Sequence, residues 1–402
     1  MDDLFEKLKA LGLKIEKAAD IEPAVETATP VELVVPGRWL NDLNRGVYIV
    51  EKNYPAGTGY GKVNLHLPLT SDPLEQFSDS KSHLDPQKIL FLDTETSSLS
   101  TGAGSMVFMI GMSFFEKESL RIIQLFMEKP EHESDLLCYF DNLLEGFDTF
   151  VSYNGKAFDI PMLRSRFILN RIPPGFNAFN HIDLLHIARR IWKVRLDSRR
   201  LSDIEKEIIE FKRSGEEIPG WLVPQIYFDY LETHDAQPLK GVFYHNEMDV
   251  ISLAALFIFI NRLLANQDNP EAIDGRDAYA IGSYYGKMGK MDLSRDFLKS
   301  GLAHDLPEEL KKAVARNFAY TYKKQGMWDE AIEYWEAAAR MEDFQACIEL
   351  SKVYEHHRKD PQTALEWVER AINLPDSQKY RQDELIRRKT RLIKKCEAEH
   401  EG

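Results

Sequence analysis

Asp93 and Glu95 are residues whose types and spacing could do chemistry. They follow the apolar run ILFL, which predicts a buried strand, and side chains two positions apart on a strand point to the same side. Two carboxylates should therefore converge at this strand end, where Mg²⁺ or Mn²⁺ could bind them together with water and substrate phosphate. The alternative is an acidic pair that only solvates a turn.

Two later segments carry acids that could join this pair. Asp159, in NGKAFDIPM, follows one predicted strand and begins a helix, so it could reach over the sheet edge or could instead cap that helix. His245 and Asp249, in HNEMDV, begin a helix whose continuation VISLAALFIFI is apolar enough to be buried. Asn246 with Asp249 could also be merely a cap pair.

Together, the four acids and the histidine would suit phosphodiester hydrolysis with two metal ions. Metals roughly 3.5–4 Å apart can hold the attacking water and the leaving 3′ oxygen, while carboxylates offset their charge. His245 could take the proton of the water, because imidazole has an ordinary pKa of about 6.5. His181 and Asp183 form a second histidine–carboxylate pair, a spare pair that could do the same chemistry. The alternative is that Asp183 only caps the following helix.

The surrounding pattern predicts an α/β sheet that would position these residues. KILFLD, VFMIGMSFF and SLRIIQLFM predict three strands in an antiparallel meander. The apolar spacing in EHESDLLCYFDNLLEGF predicts a helix, and DTFVSYN predicts a fourth strand. Further helices are expected at DIPMLRSRFILNR, HIDLLHIARRIW and LSDIEKEII, the last with a capping box of Ser202 and Glu205.

We divide the chain into three parts. Residues 1–80 should hold an amphipathic helix over 1–26 and a small β-rich extension, and residues 85–266 the α/β domain. Residues 275–402 repeat themselves, with small residues recurring where two helices must touch. The aligned sets are Gly282, Tyr285, Gly289 and Ser294, then Ala319, Tyr322, Gly326 and Ala331, then Ser351, Tyr354 and Ala364. This pattern resembles the tetratricopeptide repeat, with a plain helical bundle as the alternative.

The motifs FLDTETSSLS, YNGKAFDIPML and HNEMDVISL occur in this order, at intervals of about 60 and 90 residues. They resemble the three exonuclease motifs of the DEDD superfamily, which has a ribonuclease H-like fold: a mixed sheet flanked by helices. With the C-terminal repeats, the chain is similar to the bacterial YprB family, also called mitomycin repair factor B. That family joins a ribonuclease H-like domain to an all-α tetratricopeptide repeat domain.

The resemblance implies a metal-dependent 3′→5′ exonuclease that acts on DNA and uses Mg²⁺ or Mn²⁺. It also implies a separate helicase as partner, in the repair of crosslinked or alkylated DNA. The implied metal-binding acids are Asp93, Glu95, Asp159 and Asp249, and the implied general base is His245. Because the repeats contribute none of these residues, deleting everything after about Asn269 is expected to leave a folded nuclease.

The spacing of the base departs from the family pattern. Histidine members commonly show HxxxxD, whereas His245 and Asp249 form HxxxD, and Tyr244 occupies the longer spacing. On a continuous helix, a residue four positions before Asp249 lies about 40° from it and one five positions before lies about 140° away. Imidazole is also the better proton acceptor at neutral pH, which favours His245 over Tyr244.

Composition limits the class of protein. The chain has 402 residues, 44% of them hydrophobic and 29% charged, which suits one or two packed cores and excludes disorder. No run approaches the roughly 20 apolar residues of a membrane span, and Cys138, Cys347 and Cys396 lie far apart, so a cytoplasmic protein without membrane contact is expected. The net charge of −14 argues against a general polyanion binder, although Arg189 to Arg200 could form a local positive face.

Two other functions stay open on the residues alone. A ribonuclease H-like platform with a repeat scaffold could bind nucleic acid without cleaving it, although four intact acids count against this. An RNA-processing nuclease would use the same residues, since sugar preference and strand state depend on grooves.

Overall fold

The computed structural model describes residues 28–41, 46–66, 72–77, 83–98, 104–213, 217–265, 273–302, 306–379 and 382–400. The helix predicted over residues 1–26 lies outside these ranges. The rest of the first 80 residues contributes strands in the described part: Arg38–Trp39 and Val47–Pro55 join the large sheet, and Thr58–Tyr60 pairs with Val63–Leu65 as a separate hairpin.

The described residues form a seven-stranded sheet and a separate two-stranded hairpin. In chain order the strands are β1 (Arg38–Trp39), β2 (Val47–Pro55), β3 (Thr58–Tyr60), β4 (Val63–Leu65), β5 (Ile89–Thr96), β6 (Val107–Glu116), β7 (Ser119–Met127), β8 (Thr149–Ser152) and β9 (Asn180–Asp183). The large sheet has the order β1-β2-β7-β6-β5-β8-β9, and β3 pairs with β4.

Strand β5 lies inside the sheet, antiparallel to β6 and parallel to β8. The predicted meander is confirmed, since β6 also pairs antiparallel with β7, and the predicted return strand is β8. Because β5 and β8 run in the same direction, the residues that end these two strands meet at one edge of the sheet. This edge carries the acids singled out above.

Helices cover both faces of the sheet. They are α1 (Val31–Val34), α2 (Asp72–Phe77), α3 (Glu133–Leu143), α4 (Asp159–Leu169), α5 (Leu184–Ile191), α6 (Leu201–Ile204), α7 (Val223–Thr233) and α8 (Leu239–Ala265). Successive residues of β5 alternate between two hydrophobic clusters: Phe91 packs in the cluster that contains α8, and Leu92 in the cluster that contains α3 and α7. The continuous apolar run of β5 therefore reflects burial on both faces.

Two local predictions are wrong. The segment from His181 to Trp192 is not one helix, because Asn180–Asp183 pairs with β8 as the edge strand β9 before α5 begins. Ser202 does not cap a helix, because α6 begins at Leu201 and makes no side-chain cap bond at its N-terminus. A π-helical turn, Glu205–Ile209, follows α6 and turns Glu205 into the interior.

Helix α8 is longer than predicted and runs without interruption through the HNEMDV motif. Asn246 is therefore an interior helical residue and not a cap. By length and composition alone α8 could cross a membrane, but 83% of its apolar window is buried inside the protein, as expected of a core helix.

The C-terminal region is helical, as predicted. Its helices are α9 (Gly275–Lys287), α10 (Met291–Leu302), α11 (Glu308–Lys324), α12 (Trp328–Arg340), α13 (Phe344–Val353), α14 (Pro361–Asn373) and α15 (Gln382–His400). A Cβ on Gly282 would lie 3.0 Å from the Ser294 carbonyl oxygen, so α9 and α10 approach closely at this glycine. The tetratricopeptide assignment itself stays a prediction.

The helical region packs directly on the sheet domain. Arg195 Nη1 donates to Asp277 Oδ2 at 2.8 Å, and the Arg190 guanidinium lies 4.6 Å from the ring centroid of Tyr284. Ile281 and Tyr285 belong to the same hydrophobic cluster as α5 and α8. Part of the basic segment Arg189 to Arg200 is therefore used in this internal interface.

Candidate active site

The site is built around Asp93, which lies near the end of β5 opposite Gly111 on β6. Asn246 Nδ2 donates to Asp93 Oδ2 at 3.0 Å, and Gln124 Nε2 donates to Asn246 Oδ1 at 3.0 Å. A Cβ on Gly111 would lie 2.1 Å from Asn246 Oδ1, so only glycine lets α8 approach β6 this closely. Asn246 thus links the HNEMDV motif to the first acid, a role the sequence did not reveal.

Asp159 reaches over the sheet edge toward β5. Its Oδ1 accepts hydrogen bonds from Thr94 N at 3.0 Å and from Thr94 Oγ1 at 2.6 Å. Phe158, not Asp159, occupies the position before α4, and a Cβ on Gly155 would lie 3.1 Å from Asp159 Oδ2. The structure therefore places Asp159 beside the residue that separates Asp93 from Glu95.

Burial and mutual repulsion raise the pKa values of these acids. The pKa of Glu95 is raised to about 8, chiefly by burial and then by the charges of Asp249 and Asp159. Burial followed by the charges of Asp249, Glu95 and Asp159 raises the pKa of Asp93 well above its ordinary value. Burial also raises the pKa of Asp159 to about 6, against the hydrogen bonds from Thr94. A cation among these carboxylates would stabilise their ionised forms.

Asp249 lies one turn after His245 on α8, and His245 Nε2 is 3.5 Å from Asp249 Oδ2. The condition that favoured His245 over Tyr244, a continuous helix, is met here. Tyr244 packs against the hydrophobic cluster and lies near Tyr54, whose pKa is raised by burial, by Glu247 and by Tyr244. His245, and not Tyr244, is the neighbour of Asp249.

Arg213 is a cation of this site that no sequence motif singles out. Its side chain is only 5% exposed, and Nη2 donates to Asp249 Oδ1 at 2.5 Å. It also donates to both oxygens of Glu205, at 2.7 and 2.9 Å, and to Glu217 Oε1 at 2.7 Å. Burial opposes its charge, but Asp249 and Glu205 raise the pKa of Arg213 overall.

The N-terminal hairpin supports the segment that carries this arginine. The Tyr60 ring stacks on Phe211 with centroids 3.8 Å apart, and the Tyr60 hydroxyl donates to Glu205 Oε1 at 2.8 Å. The Lys62 amide donates to the Ile209 carbonyl at 2.8 Å. One role of the β-rich extension is therefore to hold the chain that leads to Arg213.

The spare pair, His181 and Asp183, is engaged in structural contacts. Asp183 caps α5 through the Leu185 amide and accepts the amides of Asn154 and Lys156, at 2.8–3.1 Å. His181 Nε2 shares a hydrogen bond with Ser152 Oγ at 2.7 Å, and burial lowers the pKa of His181 to about 4. Asp183 thereby shapes the loop that leads to Asp159.

Two clefts meet at Gly220. The first has a volume of about 300 Å³ and contains Asp93, Glu95 and Asp159; the second, of about 580 Å³, contains Arg213, His245 and Asp249. Gly220 lines both clefts, so one molecule that crosses this glycine would contact the acids and the histidine together.

Comparisons with known proteins agree with this architecture. Residues 90–261, which include β5 and most of α8, match the model of the RNase_H superfamily, so the sheet domain is an RNase H-like domain of the nuclease class. The chain is also 32% identical over 292 residues to the Bacillus subtilis (strain 168) protein described as "Uncharacterized protein YprB", covering 71% of this chain and 69% of that protein. The chain belongs to the YprB family.

A solved structure, the family B DNA polymerase from the archaeon Pyrobaculum calidifontis, also shows likeness. It shares 14% sequence identity with a TM-score of 0.35, over 60% of this chain and 34% of the polymerase. A likeness this weak carries no argument about function.

Proposed function

We propose that this chain is a divalent-metal-dependent 3′→5′ exonuclease that acts on DNA. The observation that supports this most directly is the grouping of carboxylates at one edge of an RNase H-like sheet, where burial raises their pKa values and neighbouring acids raise those of Asp93 and Glu95 further. Such a grouping destabilises the metal-free protein at neutral pH and suits a site that binds cations.

Four residues would hold Mg²⁺ or Mn²⁺: Asp93, Glu95, Asp159 and Asp249. The bound metal would supply polarisation of the phosphate and a lowered pKa for water. Asn246 and Thr94 would fix the orientations of Asp93 and Asp159 through their hydrogen bonds. His245 Nε2, beside Asp249, would accept the proton of the attacking water.

Two exposed aromatic side chains are available to a nucleic acid. Phe158 is 47% exposed and lines the first cleft, and Trp221, which follows Gly220 in the sequence, is 68% exposed. Aromatic faces stack on unpaired bases and are tolerant of sequence. These side chains support a substrate with a single-stranded end.

We further propose that the protein acts in DNA repair in the cytoplasm and that its helical region contacts a helicase. The family resemblance supports this partner, and the helices α9 to α15 offer a surface separate from the acids. A pull-down of the full chain with α11 surface variants would test it, since loss of helicase binding with unchanged nuclease activity is expected.

The experiment that tests the nuclease proposal uses matched DNA and RNA oligonucleotides, labelled at either end, with Mg²⁺, Mn²⁺ or EDTA. Stepwise shortening of 5′-labelled single-stranded DNA with either metal, and none in EDTA, is expected. Preferred cleavage of RNA would support the RNA-processing alternative, and binding without cleavage would support the scaffold.

Variants of the site residues distinguish cleavage by this protein from cleavage by contaminating nucleases. Asp93→Asn and Asp249→Asn should abolish shortening while the protein stays folded. His245→Ala should lose roughly 10²–10⁴ in rate, the usual worth of a general base, whereas Tyr244→Phe should change little. Full activity in both aspartate variants would refute the assignment.

A further inference from the structure

His245 lies between two carboxylates. Its Nε2 is 3.5 Å from Asp249 Oδ2, and its Nδ1 is 3.7 Å from Glu217 Oε1. The Nδ1 atom is buried and has no hydrogen-bond partner among the described residues. A buried polar atom without a partner is costly, and a small rotation of Glu217 would bring its oxygen within hydrogen-bond distance.

The position of the ring proton decides what His245 can do. A neutral imidazole carries one proton, and the nitrogen without it is the acceptor. Asp249 alone would draw the proton to Nε2 and make that nitrogen a donor. Glu217, on the opposite side of the ring, would draw it to Nδ1 and leave the Nε2 lone pair free.

Glu217 is anchored for this role. Arg213 Nη1 donates to Glu217 Oε1 at 2.7 Å, and the same guanidinium donates to Asp249 Oδ1 through Nη2. One buried cation therefore fixes both carboxylates that flank His245. A Cβ on Gly220 would lie 3.5 Å from Nε2, so the bare Gly220 backbone borders the ring where the two clefts meet.

We propose that Glu217 is a positioning residue that accepts a hydrogen bond from His245 Nδ1 and thereby keeps Nε2 free to accept a proton. The catalytic meaning of this bond rests on the proposed nuclease function. The bond itself does not, and it can be measured separately.

The first experiment measures the tautomer of His245 by ¹⁵N NMR of the full chain labelled at its 11 histidines, with Mg²⁺ present. The signal is assigned by its loss in His245→Gln, at a pH where the ¹⁵N shifts themselves show a neutral ring. We expect the proton on Nδ1 in the wild type and on Nε2 in Glu217→Met. Unless loss of Glu217 moves the proton in this direction, the proposal is wrong.

The second experiment uses kinetics on labelled single-stranded DNA. Glu217→Met should lower kcat roughly 10- to 100-fold, below the full worth of a general base, with KM within about twofold. Glu217→Gln keeps an acceptor oxygen and should recover most of the rate. Glu207→Met is the matched control, because Glu207 is an exposed glutamate whose partner is Lys206.

The two readouts separate the two proposals. A tautomer change in a protein that cleaves no oligonucleotide would keep the Glu217 bond and reject the nuclease function. An active nuclease whose kcat is equally low in Glu217→Gln and Glu217→Met would reject the role of the acceptor oxygen.

Discussion

The guanidinium of Arg213 donates to the carboxylate of Asp249, with Nη2 2.5 Å from Oδ1. Asp249 directly precedes the apolar run VISLAALFIFI of α8, whereas Arg213 lies 36 residues before Asp249 in a polar segment. The ion pair is largely buried, with side chains 5% and 16% exposed, and Arg213 also donates to Glu205 and Glu217. A single side chain thus compensates three carboxylates beside the proposed metal site.

Arg213→Met should strongly destabilise the protein. Removing one partner of a buried ion pair leaves uncompensated charge and typically costs about 3–5 kcal/mol. Urea denaturation of the metal-free protein would measure the loss. Lys206→Met is the control, because the pair of Lys206 with Glu207 is exposed and should contribute less than about 1 kcal/mol. Equal stability of the two variants would contradict the structure.

Stability of the metal-free protein should fall between about pH 7 and pH 8.5. The pKa of Glu95 is raised to about 8, so the folded state binds more protons than the unfolded state in this window. Ionising a carboxyl whose pKa is raised by folding disfavours the folded state, so the free energy of unfolding falls as the pH rises through that pKa. Thermal unfolding in EDTA at the two pH values would measure the change, and Mg²⁺ should reverse it.

Glu95→Gln is the matched control for this pH dependence. It removes the titrating group with little change in shape, so its melting temperature should fall less over the same window. The lower limit of about pH 7 also avoids a contribution from His181. Its pKa is lowered to about 4 in the folded protein, so His181 changes the stability only below its ordinary pKa of about 6.5. An identical fall in wild type and variant would rule out Glu95 as the source.

Gly111→Ala should disrupt the site through sterics alone. The added Cβ would lie 2.1 Å from Asn246 Oδ1, so α8 must shift and Asn246 must release Asp93. We expect a loss of about 1–3 kcal/mol, typical of overpacking, and loss of cleavage. Gly59→Ala, whose Cβ would meet nothing within 4 Å, should leave activity unchanged. Unfolding curves and oligonucleotide cleavage for both variants test this.

The sequence predicted the elements of the sheet because period-two alternation and apolar runs are local signals. It placed Asp93 and Glu95 on one side of β5 for the same reason. It could not predict Arg213, because the contact with Asp249 depends on the π-helical turn Glu205–Ile209 and on packing by Tyr60, both set by tertiary structure. The start of α8 was misplaced because Asn246 has the side chain of a helix cap, although burial against Gln124 keeps it inside the helix.

Helices α9 and α10 share a hydrophobic cluster with α5 and α8, which reverses the expectation that the chain folds without its helical region. Ending the chain after about Asn269 would expose the cluster that Ile281, Tyr285 and Phe297 form with α5 and α8, and would leave Arg195 without Asp277. We therefore expect that truncation to aggregate. A chain that ends after Leu302 keeps α9 and α10 and should fold, because the cluster that α11 shares with Leu298 of α10 is much smaller than the one that α9 and α10 share with α5 and α8. Size-exclusion chromatography and thermal unfolding of the two truncations would distinguish them, and a monomeric, cooperatively folded protein ending at Asn269 would show that the interface contributes little.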